Sequence, residues 1–310
     1  MINFRFHLVS LVAVFLALAL GIVMGYGVLG QPTVSGLQDR VDQVQGRINS
    51  VRRDNDRLQA EVDRLNGYAD ESSQFAVTSR LVGTPVVVVA LRGVDAARAR
   101  DVVTLARSAG ATVGGIVWLE SKWTLSAGGD TKALAAAVNV PPGSKTSVRD
   151  SGWLALAERL AAAPGPADVL PALQQAGFVA PEAVGSTSPF DLARLDGTGG
   201  RAIVVDGTAA SVPENDLVAP FARALSTAAM PAVFGEVYLA VDKGPARGQR
   251  LSPIRTDDAL TKRVSTVDDL DLVEGRVAGV LALANLGRSV VGDYGYGDGA
   301  DRAIPDWWAP

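Results

Sequence analysis

The residues of this chain that could do chemistry are mostly carboxylates. Asp268, Asp269, Asp271 and Glu274 form the densest group and offer the oxygen donors a hard cation takes. The same residues follow Ser265-Thr266 where a helix is predicted to begin, and acids are favoured at helix N-termini. Capping is the reading this spacing favours. Glu120, Lys122 and Trp123 follow a predicted strand, and Asp206 closes another. Both strand ends lie where α/β sheets take ligands. Glu120 and Asp206 make a polar-ligand edge if they share one cleft. Otherwise Glu120 and Lys122 belong to a solvated loop, and Asp206 with Gly207-Thr208 to a turn.

What is missing narrows the field further. There is no cysteine, so disulfides, thiolate metal sites and cysteine nucleophiles are excluded. The single histidine, His7, sits beside a long apolar run. Ser-His-Asp catalysis, HExxH zinc chemistry and imidazole metal cages all need a histidine inside a folded domain. Met1, Met24 and Met230 are too few and too scattered for a thioether copper cluster. The chain reads as a non-enzyme with no catalytic residue, no evident cofactor and no metal assigned. With a formal net charge of -4 it has no footprint for nucleic acid.

The elements that must position these residues begin after Thr84. Pro85–Leu91 is a continuous apolar run, as for a strand buried on both faces of a parallel sheet. A helix is predicted over 95–109, a strand over 111–119, and helices over 131–138, 152–163 and 167–176. Ala202–Asp206 is a third strand, 214–229 a helix, 232–241 a fourth strand, 264–267 a short one, and 270–291 a last helix. This alternation predicts an open, largely parallel sheet with helices on both faces. The first βα turn, Leu91-Arg92-Gly93-Val94-Asp95, lacks the G-x-G-x-x-G that admits a pyrophosphate, and no Walker-type loop occurs.

The first thirty residues are of another kind. Leu8–Leu29 carries no charge. At about 1.5 Å per residue it is roughly 33 Å long, enough for a hydrocarbon core of roughly 30 Å. The alternative is a cleaved signal peptide, but the run is long for one and Gly-Val-Leu-Gly is a poor cleavage site. Arg5 and the amino terminus favour a cytoplasmic N-terminus and an extracytoplasmic body. Ala13, Ala17, Gly21 and Gly25 recur every fourth residue, as on a face where membrane helices approach closely.

Gln31-Pro32 ends the span, and a heptad pattern follows to Leu65. Val34, Val41, Ile48, Asn55 and Val62 take position a. Leu37, Val44, Val51, Leu58 and Leu65 take position d. β-branched residues at a, and Asn55 at one further a position, favour a parallel homodimer. Arg47 at g facing Arg52 at e of the partner opposes it mildly, and Gly46 weakens the helix. Packing of the helix on its own domain, or pairing with another coiled-coil protein, are the alternatives.

Phe4-Arg5-Phe6-His7 running into the apolar span, the coiled coil, and then Ser265-Thr266-Val267-Asp268-Asp269-Leu270-Asp271, Gly275-Arg276-Val277-Ala278 and Gly292-Asp293-Tyr294-Gly295 form a familiar arrangement. It resembles the actinobacterial MctB-like copper transport family over nearly the whole chain except the last dozen or so residues. The resemblance implies copper efflux through a pore in the outer envelope. The residues do not support that mechanism directly: copper(I) prefers sulfur or imidazole, and the body holds only Met230. Some relatives are also associated with peptidoglycan hydrolases, which suits an anchored envelope scaffold that binds a protein partner.

The expected architecture is a membrane anchor (1–30), a parallel coiled coil (31–70), one Rossmann-like α/β extracytoplasmic domain (78–294) and a Gly/Tyr/Trp tail (295–310). Trp307 and Trp308 in that tail are costly to leave in water, so the tail folds back on the domain or docks on a partner or membrane.

Overall fold

The computed structural model describes residues 4–29, 31–166, 168–240 and 244–306, and the side chains at 28–29 and 31–35 lie outside that description. Trp307 and Trp308 fall outside it, as does the side chain of Val34. The chain divides into two compact units, Met1–Asn66 and Gly67–Pro310.

The first unit is helical. Helix α1 spans Phe4–Leu29. Its segment Phe4–Gly27 is the one helix among the described residues long and apolar enough to cross a membrane. It begins earlier than the apolar run because Phe4–His7 contains no helix breaker. Ala13, Ala17, Gly21 and Gly25 lie on one face of α1, since steps of four residues drift only slowly around a helix. Helix α2 spans Gln31–Val77, with Pro32 in its first turn, where a missing N–H is tolerated. Leu37, Val41, Val44, Ile48, Val51, Leu58, Val62 and Leu65 are all exposed in the single chain, Ile48 the least at 40%. Asn55 is exposed beside them.

The second unit takes in the last turns of α2, where Ser73 and Val77 are buried. Its core is a seven-stranded sheet: Val86–Leu91 (β1), Ile116–Leu119 (β2), Val179–Glu182 (β3), Arg201–Gly207 (β4), Ala232–Val237 (β5), Val264–Val267 (β6) and Asp293–Tyr294 (β7). The order is β3-β2-β1-β4-β5-β6-β7. Every neighbouring pair is parallel except β2–β3. Every residue of β1, β2, β5 and β6 is buried, as strands covered on both faces require. The covering helices are Ala96–Ser108 (α3), Asp130–Ala137 (α4), Lys145–Leu160 (α5), Val169–Gln175 (α6), Glu214–Thr227 (α7), Ser252–Arg255 (α8) and Val273–Leu286 (α9). Helix α3 packs with α9, and α5 packs with α4, α6 and α7.

An aromatic stack holds α5 in place. The rings of Trp123 and Trp153 lie 3.6 Å apart and nearly parallel. Their indole N–H groups donate to the carbonyls of Phe178 and Asp216, both at 3.0 Å. This explains one difference from the sequence expectation. Helix α5 starts at Lys145, capped by Ser144, and runs straight through Gly152. A Cβ at Gly152 would lie 3.0 Å from the Trp123 ring, so the glycine makes room for the stack and does not open the helix.

Two strands are additions. β3 contains Pro181 and sits at the edge, the one place in a sheet that tolerates proline. β7 has two residues, too short for any periodicity. The last helix is shorter than expected. It opens at Val273, with Leu272 at the cap position and no side-chain cap. Asp268, Asp269 and Asp271 therefore do not cap it; Glu274 alone stands in its first turn.

Candidate functional site

The strand order reverses between β1 and β4, and the loops beyond their carboxyl ends meet there. The Ser211 N–H donates to the Arg92 carbonyl at 2.7 Å. Gly93 has φ +96°, and a Cβ on it would lie 2.1 Å from the Ala209 carbonyl oxygen. The two loops are thus joined backbone to backbone where a doubly wound sheet usually opens to a nucleotide. Gly93→Ala is expected to lower stability by about 1–3 kcal/mol through strain at this one residue, read as a shift of the urea midpoint.

Beside this junction lies a cavity of about 420 Å³, lined in part by Asp95, Arg98, Tyr238, Leu239 and Asp271. Its acids are already engaged. Asp95 accepts from the Ala97 N–H at 2.9 Å and caps α3. Asp271 holds Arg247 through two bonds of 2.8 and 2.9 Å, and the Arg247 guanidinium lies over the Tyr238 ring.

Next to the cavity, under the carboxyl ends of β4 to β7, runs a buried network of charges. Asp206 and Glu236 are register neighbours on β4 and β5, and both are fully buried. Asp206 takes two bonds from Arg250, at 2.8 and 2.7 Å. Burial pushes its carboxyl up, and the guanidinium works against that rise. Glu236 accepts from the Gly248 N–H at 2.7 Å through one oxygen, while its other oxygen is buried without a hydrogen bond. Burial pushes Glu236 up to about 7, with Asp206 and Asp268 adding to the rise.

The segment after β6 completes the network. Asp268 accepts from the N–H groups of Tyr296 and Gly297 at 2.9 and 3.0 Å. Arg255 reaches Asp268 at 3.0 Å, the Thr266 hydroxyl at 2.8 Å and the Tyr294 carbonyl at 3.0 Å. The Thr266 hydroxyl donates to Asp293 at 2.5 Å. Asp269 is fully buried with neither oxygen hydrogen-bonded. Burial and the neighbouring Asp268 push it up to about 7. The tail thereby folds back on the body: the Asp301 N–H donates to the Asp293 carbonyl at 2.8 Å and the Asp298 N–H to the Arg247 carbonyl at 3.3 Å.

The sequence-predicted edge residues belong to the ends of β2 and β4, with β1 between those strands, and each has its own partner. Glu120 pairs with Arg92 at 2.8 Å and Asp206 with Arg250. Lys122 donates to the Ala176 carbonyl, and Trp123 is core. Arg247, Arg250 and Arg255 carry the network and were not singled out from sequence. Their signal was three arginines within nine residues preceding the acidic run.

Among the described residues no group of three or more His, Cys, Asp or Glu side chains is arranged to hold a metal. The donors do not suit copper(I) as a resident ion either. His7 and Met24 lie on α1, and Met230 is buried in the apolar core. The carboxylates that do cluster are bound to arginines or backbone N–H groups, or are buried with raised affinity for a proton. Such a set builds a clamp on the tail and offers no aligned nucleophile and base.

A sequence profile for the family described as "Copper transport outer membrane protein, MctB" matches residues 1–305. A protein named "Copper transporter MctB" from Mycobacterium leprae is 34% identical over 322 residues, covering 97% of this chain and 98% of that protein. The protein of the same name from Mycobacterium tuberculosis is 30% identical over 325 residues, with the same two coverages.

Proposed function

The chain belongs to the MctB family, and from that premise we propose that it is a copper-transport protein that works from the membrane through its N-terminal span. Coverage carries this reading. The match runs through span, stalk and body together, and not over one portable module. The relatives are named as copper transporters, so a scaffold for peptidoglycan hydrolases is not favoured.

The finer reading is a single-pass protein with its body outside the cytoplasm, tethered through a parallel coiled coil to a second copy. Eight apolar heptad side chains exposed along α2, with Asn55 in their row, support the pairing. The small-residue face of α1 supports close approach of the two spans. The body reads as Rossmann-like from the strand order β3-β2-β1-β4-β5-β6, with β3 reversed. It acts as a non-enzymatic module. Because one helix encloses no pore, copper passage in this account needs several assembled spans or a partner in the envelope.

Asn55→Ile tests the pairing. Residues 31–310 are expected to sediment as a dimer, and the variant as a mixture of dimer and trimer. A concentration-independent monomer for the unsubstituted stalk contradicts the dimer. For the function itself, deleting the gene is expected to raise cell copper and sensitise growth to copper salts. Chained, unseparated cells with normal copper content would contradict copper transport.

A further inference from the structure

A recess of about 540 Å³ opens at the other edge of the sheet, where β1 begins. That volume falls within the roughly 300–1,000 Å³ typical of small-ligand sites. One wall is the connection between β3 and β4, residues 183–200, whose helical content is one short turn at Leu192–Arg194. Connections of this length are uncommon in compact domains and tend to be functional.

Phe190 on this connection has a fixed place. A Cβ at Gly114 would lie 2.6 Å from its ring, and one at Gly115 2.7 Å. The ring therefore lies across the Gly114-Gly115 backbone, in space that only glycines leave, and lines the recess with its remaining surface.

Polar groups of both kinds surround it. Thr112 and Ser188 line the recess, and neither side-chain hydroxyl makes a hydrogen bond among the described residues. Asp191 and Asp196 each use one oxygen to accept a local backbone N–H, from Ala193 and Thr198. Arg194 is exposed and only loosely paired, 3.4 Å from Asp191. The lining thus holds acceptors, a cationic donor and hydroxyls that do both, around one aromatic surface.

We infer that this recess is a saccharide site, with the Phe190 ring under the C–H face of a sugar and Thr112, Ser188, Asp191, Asp196 and Arg194 on its hydroxyls. The two carboxylates disfavour an anion, the guanidinium disfavours a simple cation, and the hydroxyl rim disfavours a purely apolar ligand. A sugar presents an apolar face and a ring of groups that both donate and accept, which matches the Phe190 ring and the polar residues beside it.

Saturation-transfer NMR on the full chain tests this, in a detergent without a sugar headgroup. The probes are triacetylchitotriose, lactose and mannobiose at about 10 mM, where a site of about millimolar Kd is mostly occupied. Transfer to the ring protons of at least one sugar is expected. Phe190→Ala should weaken its binding at least about tenfold. The double variant Thr112→Val/Ser188→Ala, which leaves the Phe190 packing intact, should weaken it by a similar factor. No transfer to any of the three sugars, or transfer unchanged in the double variant, overturns the assignment.

Discussion

Arg250→Ala is expected to destabilise the α/β body by about 3–5 kcal/mol, because it leaves a buried carboxylate without its counter-charge. Asp206 is fully buried and receives both of its arginine bonds from this one side chain. Glu236 stands beside it in register and offers no counter-charge. The same guanidinium also donates to the Val212 carbonyl at 3.1 Å, and that acceptor is stranded as well. A domain of ordinary stability holds roughly 5–15 kcal/mol, so the loss is a large share. The double variant Asp206→Leu/Arg250→Met should recover most of it, since apolar replacement of a whole buried pair is often neutral. Urea midpoints of the two variants give the answer. A loss under about 1 kcal/mol in the single variant would mean that the pair is solvated.

The second large effect is on pH. Glu236 and Asp269 are both pushed up to about 7 in the folded body, against ordinary values of 4.5 and 3.8. Between those limits the native state holds a proton that the unfolded chain has released. Their contribution to stability is therefore complete in acid and is lost as pH rises towards and past 7. The ceilings are about 3 kcal/mol for Glu236 and about 4 kcal/mol for Asp269, from about 1.4 kcal/mol for each unit of pKa. Carboxylates held low, such as Glu182 and Asp257, act in the opposite sense as pH falls. The clean measurement is the difference between variant and unsubstituted protein from pH 5 to pH 8. Glu236→Gln and Asp269→Asn should each flatten the fall above pH 5. A slope unchanged in both variants would contradict the buried, proton-holding assignment. Any loosening should be felt first by the tail, which hangs on the Asp268 carboxylate adjoining Asp269.

How much of this was legible follows from which signals are local. The strands expected at 85–91, 202–206 and 232–241 form as Val86–Leu91, Arg201–Gly207 and the shorter Ala232–Val237, side by side at the centre of the sheet. The helix ends at Ser108 and Thr227 fall within two residues of expectation, since capping and glycine signals are local. Gly152 misled because its role is set by Trp123, distant in sequence. The acidic run 268–271 misled in a similar way. Its local context reads as a helix start, but its partners are Arg247, Arg255 and the tail amides, which only the tertiary fold supplies. The motifs that carried the family resemblance, around Asp268 and Tyr294, are the two halves of that clamp. Phe190 and the glycine pair beneath it gave no periodic signal at all.

The central claim is that copper is moved by a protein that must stay tethered in the membrane. Loss of radiocopper from preloaded cells tests it most directly, comparing a deletion strain complemented with the full chain or with a body whose residues 4–29 are replaced by a cleavable leader. The account predicts that the full chain restores export and that the released body, though folded and present, does not. Full export from the released body, or none from the intact chain, would contradict it.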